Sequence, residues 1–341
     1  MNSLKLLSVL SIGLLAISCE NQDADYPDYE GGITVSFAYQ YPVRTIVLGE
    51  DTYDTTLDNQ HECTIYGAMG GSYKGKNIIV DFNVDNALTD HLYFSDGSAV
   101  QAMPSTYYTL ANNKLYYSGE VMGGVVVQLT DAFFADPKSL KNTYVIPLVM
   151  TKATGADSIL VGSPLIEGDK PARTNSDYWN VLPKDYVLYC VKYINKYHAN
   201  YLRRGVDQIT ENGVTSTNVR HQQYVEKDEV CSTTTRSLNS VVFPVSTNLS
   251  DGNKVTCNLI LTFNDKGECT IASDSQEYKA SGTGKYLDKS EKKAWGNKDR
   301  DGLYLEYQID FGTKKYATKD TLVWQGRGLS RELFNPKFKI N

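Results

Sequence analysis

The feature that most constrains this chain is a two-residue alternation of apolar and polar side chains, repeated in short runs. Val255, Cys257, Leu259, Leu261 and Phe263 share one parity, with Thr256, Asn258 and Thr262 on the other. Successive side chains of a strand point to opposite faces, so such a run buries one face and wets the other. Comparable runs recur at 33–39, 43–48, 61–66, 77–84, 107–110, 114–117, 125–129 and 144–150, separated by Gly, Asn and Asp clusters. Seven or eight short strands in roughly 130 residues predict an immunoglobulin-like β-sandwich over 33–164. Tyrosine supports the strand reading: 25 of the 341 residues are Tyr, a type that suits pleated, half-buried surfaces.

The polar segment 165–184 carries Pro171 and Pro183 and predicts an interdomain linker. Beyond it Val187, Tyr189, Val191, Tyr193 and Tyr197 share a parity. The tyrosines at 189, 193, 197 and 201 also fit a four-residue helical step, and Val/Tyr enrichment decides for strand. Further runs lie at 218–225, 240–245, 254–263, 268–272, 303–310 and 321–325. They predict a larger second domain over 185–341, a lipocalin-like β-barrel or a second sandwich. The expected fold class is all-β.

Residues 1–18 hold Lys5 and an apolar run that closes on Ala16-Ile17-Ser18-Cys19. That is a lipoprotein signal, with Cys19 the lipidation site and 19–32 an acidic tether. The expected location is the outer membrane, held by the lipid anchor alone and facing the exterior. Five cysteines remain: Cys63, Cys190, Cys231, Cys257 and Cys269, without CxxC spacing. Asn264-Asp265-Lys266-Gly267 suits a turn that sets Phe263 opposite Cys269 and Leu261 opposite Ile271. Cys257 then lies roughly 20 Å along the strand from Cys269, too far for a disulfide. All five read as buried small apolar residues.

A formal charge of −6 without a basic stripe excludes nucleic acid as partner. His61-Glu62-Cys63 lacks the second histidine of a zincin helix, Gly71–Asn77 falls short of a P-loop, and no GxSxG occurs. No catalytic residue and no cofactor are expected, although a carboxylate pair set by the fold stays open. Asn297, Asp299 and Asp301, followed by Gly302, have the oxygen spacing of a calcium loop. Gln308 stands where a bidentate Glu is needed, however, and Lys298 and Arg300 oppose a cation, which favours a polar turn.

Sugars stack on exposed aromatic rings, which singles out Trp179 in the polar segment and Trp295 in a charged loop. Trp324, inside a strand run, reads as core. Asn200, Tyr201 and Arg203, with His198 and Arg204, form a polar string at a strand end, either a binding group or rim hydrogen bonding.

Val43-Arg44-Thr45-Ile46-Val47-Leu48-Gly49, Tyr107-Tyr108-Thr109-Leu110, the 125–134 stretch, Tyr144-Val145-Ile146-Pro147-Leu148 and the 198–205 stretch carry a resemblance. The chain resembles two-domain surface lipoproteins of Bacteroidetes. Their N-terminal domain of unknown function also precedes some surface endo-glycosidases and glycan-binding proteins. The resemblance implies a place beside Sus-type glycan uptake systems, an oligo- or polysaccharide ligand, and an outer-membrane uptake complex as partner. The acidic DxxDxDxE-type motif of the glycosidase members is absent. Three functions follow: non-catalytic glycan binding with the site on the second domain, a structural or adhesive surface role, or a hydrolase with an unrecognised carboxylate pair.

Overall fold

The alternating runs fold into strands, and the chain is all-β, with only short helical turns between them. This computed structural model describes residues 26–339; Cys19, the expected 1–18 signal and the first half of the expected tether, up to residue 25, lie outside the described residues. Within them no helix is long and apolar enough to cross a membrane.

The first domain contains β1 (Thr34–Ser36), β2 (Pro42–Val47), β3 (Glu62–Gly70), β4 (Ile79–Val84), β5 (Lys114–Tyr116), β6 (Met122–Leu129), β7 (Tyr144–Thr154) and β8 (Tyr186–Ile194). The hydrogen-bonded path runs β1-β3-β6-β5-β4-β7-β8-β2. A single pair, Tyr116 with Gly124, joins β6 to β5, and there the path bends into the two layers of a sandwich. Val35, Ile65, Val80, Phe82, Val127 and Leu148 are buried between the layers. A second cluster covers the outer side of β7 and β8, where Val145, Tyr186, Leu188 and Cys190 meet Phe94 and Phe334. Burial on both sides explains why 144–150 is apolar throughout rather than alternating.

Two expected boundaries change. The run over 186–194 does not open the second domain. It forms β8, antiparallel to β7 and parallel to β2. Its parity was readable because Val187, Val191 and Tyr193 face the sandwich core, but parity does not name a partner strand. The 165–184 segment is therefore an excursion within the sandwich and not a linker between domains: Ser163–Pro164 and Trp179–Val181 pair at its base.

The second domain begins at β9 (Asn200–Glu211) and continues with β10 (Val214–Arg220), β11 (Glu229–Ser232), β12 (Thr234–Ser237), β13 (Ser240–Asn248), β14 (Lys254–Phe263), β15 (Glu268–Ser273), β16 (Lys279–Trp295), β17 (Lys298–Asp310) and β18 (Lys314–Gly326). From β12 to β18 each strand pairs antiparallel with the next, and β18 pairs back to β9. β11 pairs with β9 and runs into β12 through Thr233, whose backbone N–H donates to Ala199 O. The ring is thereby closed, which decides for a barrel over a second sandwich; β10 is a hairpin arm outside it. Tyr201, Phe243, Leu259, Leu261, Leu305 and Tyr307 fill the interior.

The β14–β15 turn forms as its sequence predicts. Phe263 faces Cys269 and Leu261 faces Ile271. Gly267 adopts φ +73°, and Asn264 Oδ1 accepts from the N–H of Lys266 and Glu268. Cys257 faces Val245 instead of Cys269, and the five described cysteines are free. β16 left no apolar alternation because its inward positions include Ala280, Gly282 and Gly284. A Cβ on Gly282 would lie 2.6 Å from Tyr307 Cβ, and one on Gly284 2.6 Å from Leu305 Cδ2.

The domains meet at Asn195–Ala199 and at Arg327. Arg327 Nη1 donates to the carbonyls of Asn195, Lys196 and His198, and Nη2 to those of Leu48 and Glu50. The chain then returns to the sandwich through β19 (Glu332–Leu333), paired with β2, and β20 (Lys337–Phe338), paired with Leu92–Tyr93. Glu332 is held there by Lys192 Nζ and Asn142 Nδ2, both at 2.5 Å.

Candidate functional site

The 165–178 excursion is polar and lacks a strand partner, so its shape must come from specific tethers. At its base Leu165 N–H donates to Tyr178 O. The Trp179 indole N–H donates to Ala172 O at 3.0 Å, and Arg173 Nε reaches both oxygens of Asp185 at 3.0 and 3.1 Å. Asp185 is buried; desolvation pushes its carboxyl above the usual range, and the Arg173 guanidinium works against that. So pinned, the excursion faces His91 and the C-terminal strand β20.

Between them lies an open cleft of about 500 Å³, lined by Tyr178, Phe338, His91, Asn175, Asp169 and Lys170 among others. Tyr178 is 48% exposed, and Phe338 is partly buried against the His91 ring, with centroids 5.7 Å apart. Aromatic walls with a few polar groups on a fixed frame are the composition of a small-ligand site. Asp169 is the one carboxylate among these lining residues.

Trp179, expected as a stacking ring at the edge of the second domain, instead stands beside the cleft and holds its wall through the bond to Ala172 O, and Tyr178 offers the exposed ring. The signal for Tyr178 was present: an aromatic in a polar stretch, on no apolar parity. Trp295 differs from expectation. Its Nε1 donates to Trp324 O at 3.0 Å, and the Arg300 guanidinium lies over its ring, 3.5 Å from the centroid. That ring face is taken. Trp324 is buried as core.

The calcium-loop spacing has another cause. β16 carries two bulges opposite β17, one between Leu287 and Glu291 and one between Glu291 and Trp295. Lys289 and Lys293 take φ of +49° and +47° in them. Asp301 accepts the Lys289 N–H at 2.8 Å and Asp299 the Lys293 N–H at 3.0 Å. Asn297 sits in the hairpin turn at φ +54°. These carboxylates clamp bulges, and among the described residues no cluster of His, Cys, Asp and Glu is disposed to hold a metal.

The polar string is divided by strand alternation. Tyr201 is fully buried in the barrel, its hydroxyl donating to Tyr197 O. Arg203 also points inward, with Nε 3.0 Å from Asp320 Oδ2, Nη2 donating to the Tyr307 hydroxyl, and its guanidinium over the Phe243 ring. Asn200 faces the other way and accepts from Ser232 Oγ, while Arg204 pairs with Asp228. These residues form rim and interior bonding and do not converge on a common site. His198 Nδ1 accepts from Thr235 N–H at the domain junction. A depression of about 530 Å³ on the outer barrel face, with Gln208, Glu306, Gln308 and Lys319, has as its aromatic only Tyr307, whose hydroxyl is committed to Asp320.

A protein of unknown function from Bacteroides ovatus, with a crystal structure at 2.40 Å, superposes on this chain with a TM-score of 0.85. The two are 43% identical over 92% of this chain and 100% of that one. The chain belongs to that protein's family. The family model for a domain of unknown function, DUF5627, matches residues 196–328, the barrel and its junction. A model described as an N-terminal domain matches 27–157, most of the sandwich. The 165–178 excursion and Phe338 fall outside both matches. An auxiliary nutrient binding protein from Bacteroides thetaiotaomicron VPI-5482 aligns over 83% of this chain and 90% of its own at 12% identity and a TM-score of 0.35, too low to carry a property across. No curated protein matches.

Proposed function

We propose that this protein is a non-catalytic glycan-binding lipoprotein of the cell surface, anchored through Cys19, with the sugar held in the cleft beside Tyr178. The observation that carries the reading is the pairing of the exposed Tyr178 ring and Phe338 with Asn175, Asp169 and Lys170 on a pinned frame. An aromatic plane suits the C–H face of a sugar, and the polar groups suit its hydroxyls. Glycosidic hydrolysis uses two carboxylates, and the cleft lining supplies Asp169 alone. The lipid tether would hold the cleft where extracellular polysaccharide arrives and hand oligosaccharide to an uptake complex.

Glycan-array binding without product formation tests the class. Calorimetry on Tyr178→Ala tests the site: binding of order 10⁻⁵ to 10⁻³ M is expected, weakened by about 1–3 kcal/mol. Unchanged affinity in that variant would remove the assignment, and product release would replace it with catalysis. Globomycin-sensitive processing and protease shaving of intact cells test anchor and orientation; a mature form lacking a lipidated Cys19 contradicts both.

A further inference from the structure

Arg300 is held in an unusual way for a surface arginine. Its guanidinium lies 3.5 Å from the Trp295 centroid and 5.8 Å from that of Trp324, and Trp295 is itself fixed by its bond to Trp324 O. Stacking fixes the plane of the guanidinium and leaves its N–H edge to make in-plane contacts. Yet among the described residues no carboxylate hydrogen-bonds to Arg300 or pairs with it at contact distance, Asp301 acting on it only through space, and its Nε is buried with no hydrogen-bond partner.

Arg300 lines a depression of about 190 Å³ at the seam between the domains, with Glu50 and Asp51 from the sandwich and Lys289 and Lys298 from the barrel. The acids of this depression are already engaged. Asp301 accepts from the Tyr286 hydroxyl at 2.5 Å and from Lys289 N–H, and Asp299 accepts from Lys293 N–H and from Lys292 Nζ. Glu50 pairs with Lys289 at 2.9 Å, and Asp51 accepts from Thr52 N–H. Arg300 and Lys298 are the cations left over.

We propose that this seam is a second ligand site, in which Arg300 receives the carboxylate of an acidic sugar of the uronic-acid class. A planar fork matches a carboxylate through two parallel N–H···O bonds. The lining sets four carboxylates against Lys289, Lys298 and Arg300, so a dianion such as phosphate is opposed more strongly than a single negative charge, and the attraction must come from Arg300 and Lys298 locally. The volume is below that of a site for a drug-sized molecule, so the group received is small. The site stands apart from the Tyr178 cleft, and only the sugar class of its ligand rests on the proposed glycan-binding function.

The test uses the full chain and sodium glucuronate, with glucose and sodium chloride at matched concentration as controls. The Arg300 Nε–H resonance and the Trp295 indole resonance are followed by NMR. A saturable shift in the millimolar range is expected with glucuronate and none with glucose or chloride. Arg300→Gln should abolish the Trp295 response, and Arg300→Lys should weaken it by roughly tenfold, because the charge survives and the fork does not. Tyr178→Ala should leave it intact, which separates this site from the cleft. No saturable shift, an equal shift with glucose or chloride, or a Trp295 response surviving in a folded Arg300→Gln protein would overturn the proposal. The wild-type comparison of glucuronate with glucose holds even if a variant fails to fold.

Discussion

The barrel and the sandwich are both antiparallel-rich β domains, yet the chain assembles them in opposite ways. Each barrel stave from β12 to β18 bonds to the next one in sequence, and closure needs nothing from outside 199–326. The sandwich takes β8 from beyond the excursion and β19, Phe334 and β20 from beyond the barrel. One domain is local, and the other is finished only after the whole chain is made. A matching domain model therefore does not mark a separable unit: cutting after the 27–157 match removes β8 and takes Tyr186, Leu188, Cys190 and Phe334 from the cluster around Val145 and Val149.

This contrast can be broken most directly at Arg327. Arg327→Ala leaves five junction carbonyls without their donor, and a loss of about 4 kcal/mol is expected by denaturant unfolding. Both domains should loosen together, so two well-separated transitions in the native protein would contradict the interlock. Phe334→Ala should remove about 3–4 kcal/mol and act on one side only. Hydrogen exchange should then rise in β7 and β8 while β13 to β15 keep their protection, and equal loss in both would erase the distinction.

His198 sharpens the comparison through pH. Burial first, and Arg327 second, pull its pKa down from 6.5 to about 4. The folded protein resists a proton that the unfolded chain accepts, so stability is full above about pH 6.5. It is lost as pH falls towards 4, by on the order of 3 kcal/mol. Melting temperatures of the native protein and His198→Gln between pH 4 and 7 check this; parallel curves would rule out His198 as the source. The smallest effect is expected at Trp179→Phe, which keeps an aromatic ring, though a smaller one, and loses the bond to Ala172 O. It should reduce stability by about 1 kcal/mol, and glycan affinity with it.

What was readable in the sequence followed the same divide. The β14–β15 register could be derived because turn chemistry and a one-sided apolar face act over neighbouring residues. β16 could not, because glycine on its inner face carries no hydrophobic signal. The place of β8 was hidden for a different reason, since parity shows a face and the partner of Cys190 is 45 residues away at Val145. Trp179 and Trp295 were sound as aromatic residues in polar surroundings, but what a ring does depends on its N–H and on what lies over its face. The spacing of Asp299 and Asp301 reflects two successive bulges; Gln308, Lys298 and Arg300 already argued in the sequence against a calcium loop, but the bulges themselves left no sequence signal.

The central functional claim is that neutral glycan binds on the sandwich side, in the cleft closed by the excursion and the C-terminal strand, and not on the barrel strands. Hydrogen–deuterium exchange of the full chain, with and without the neutral glycan that an array selects, tests it directly. Protection is predicted over 165–178 and 337–339, with Tyr178→Ala abolishing it. Protection confined to the barrel strands β16 to β18, with 165–178 unchanged, would contradict the account.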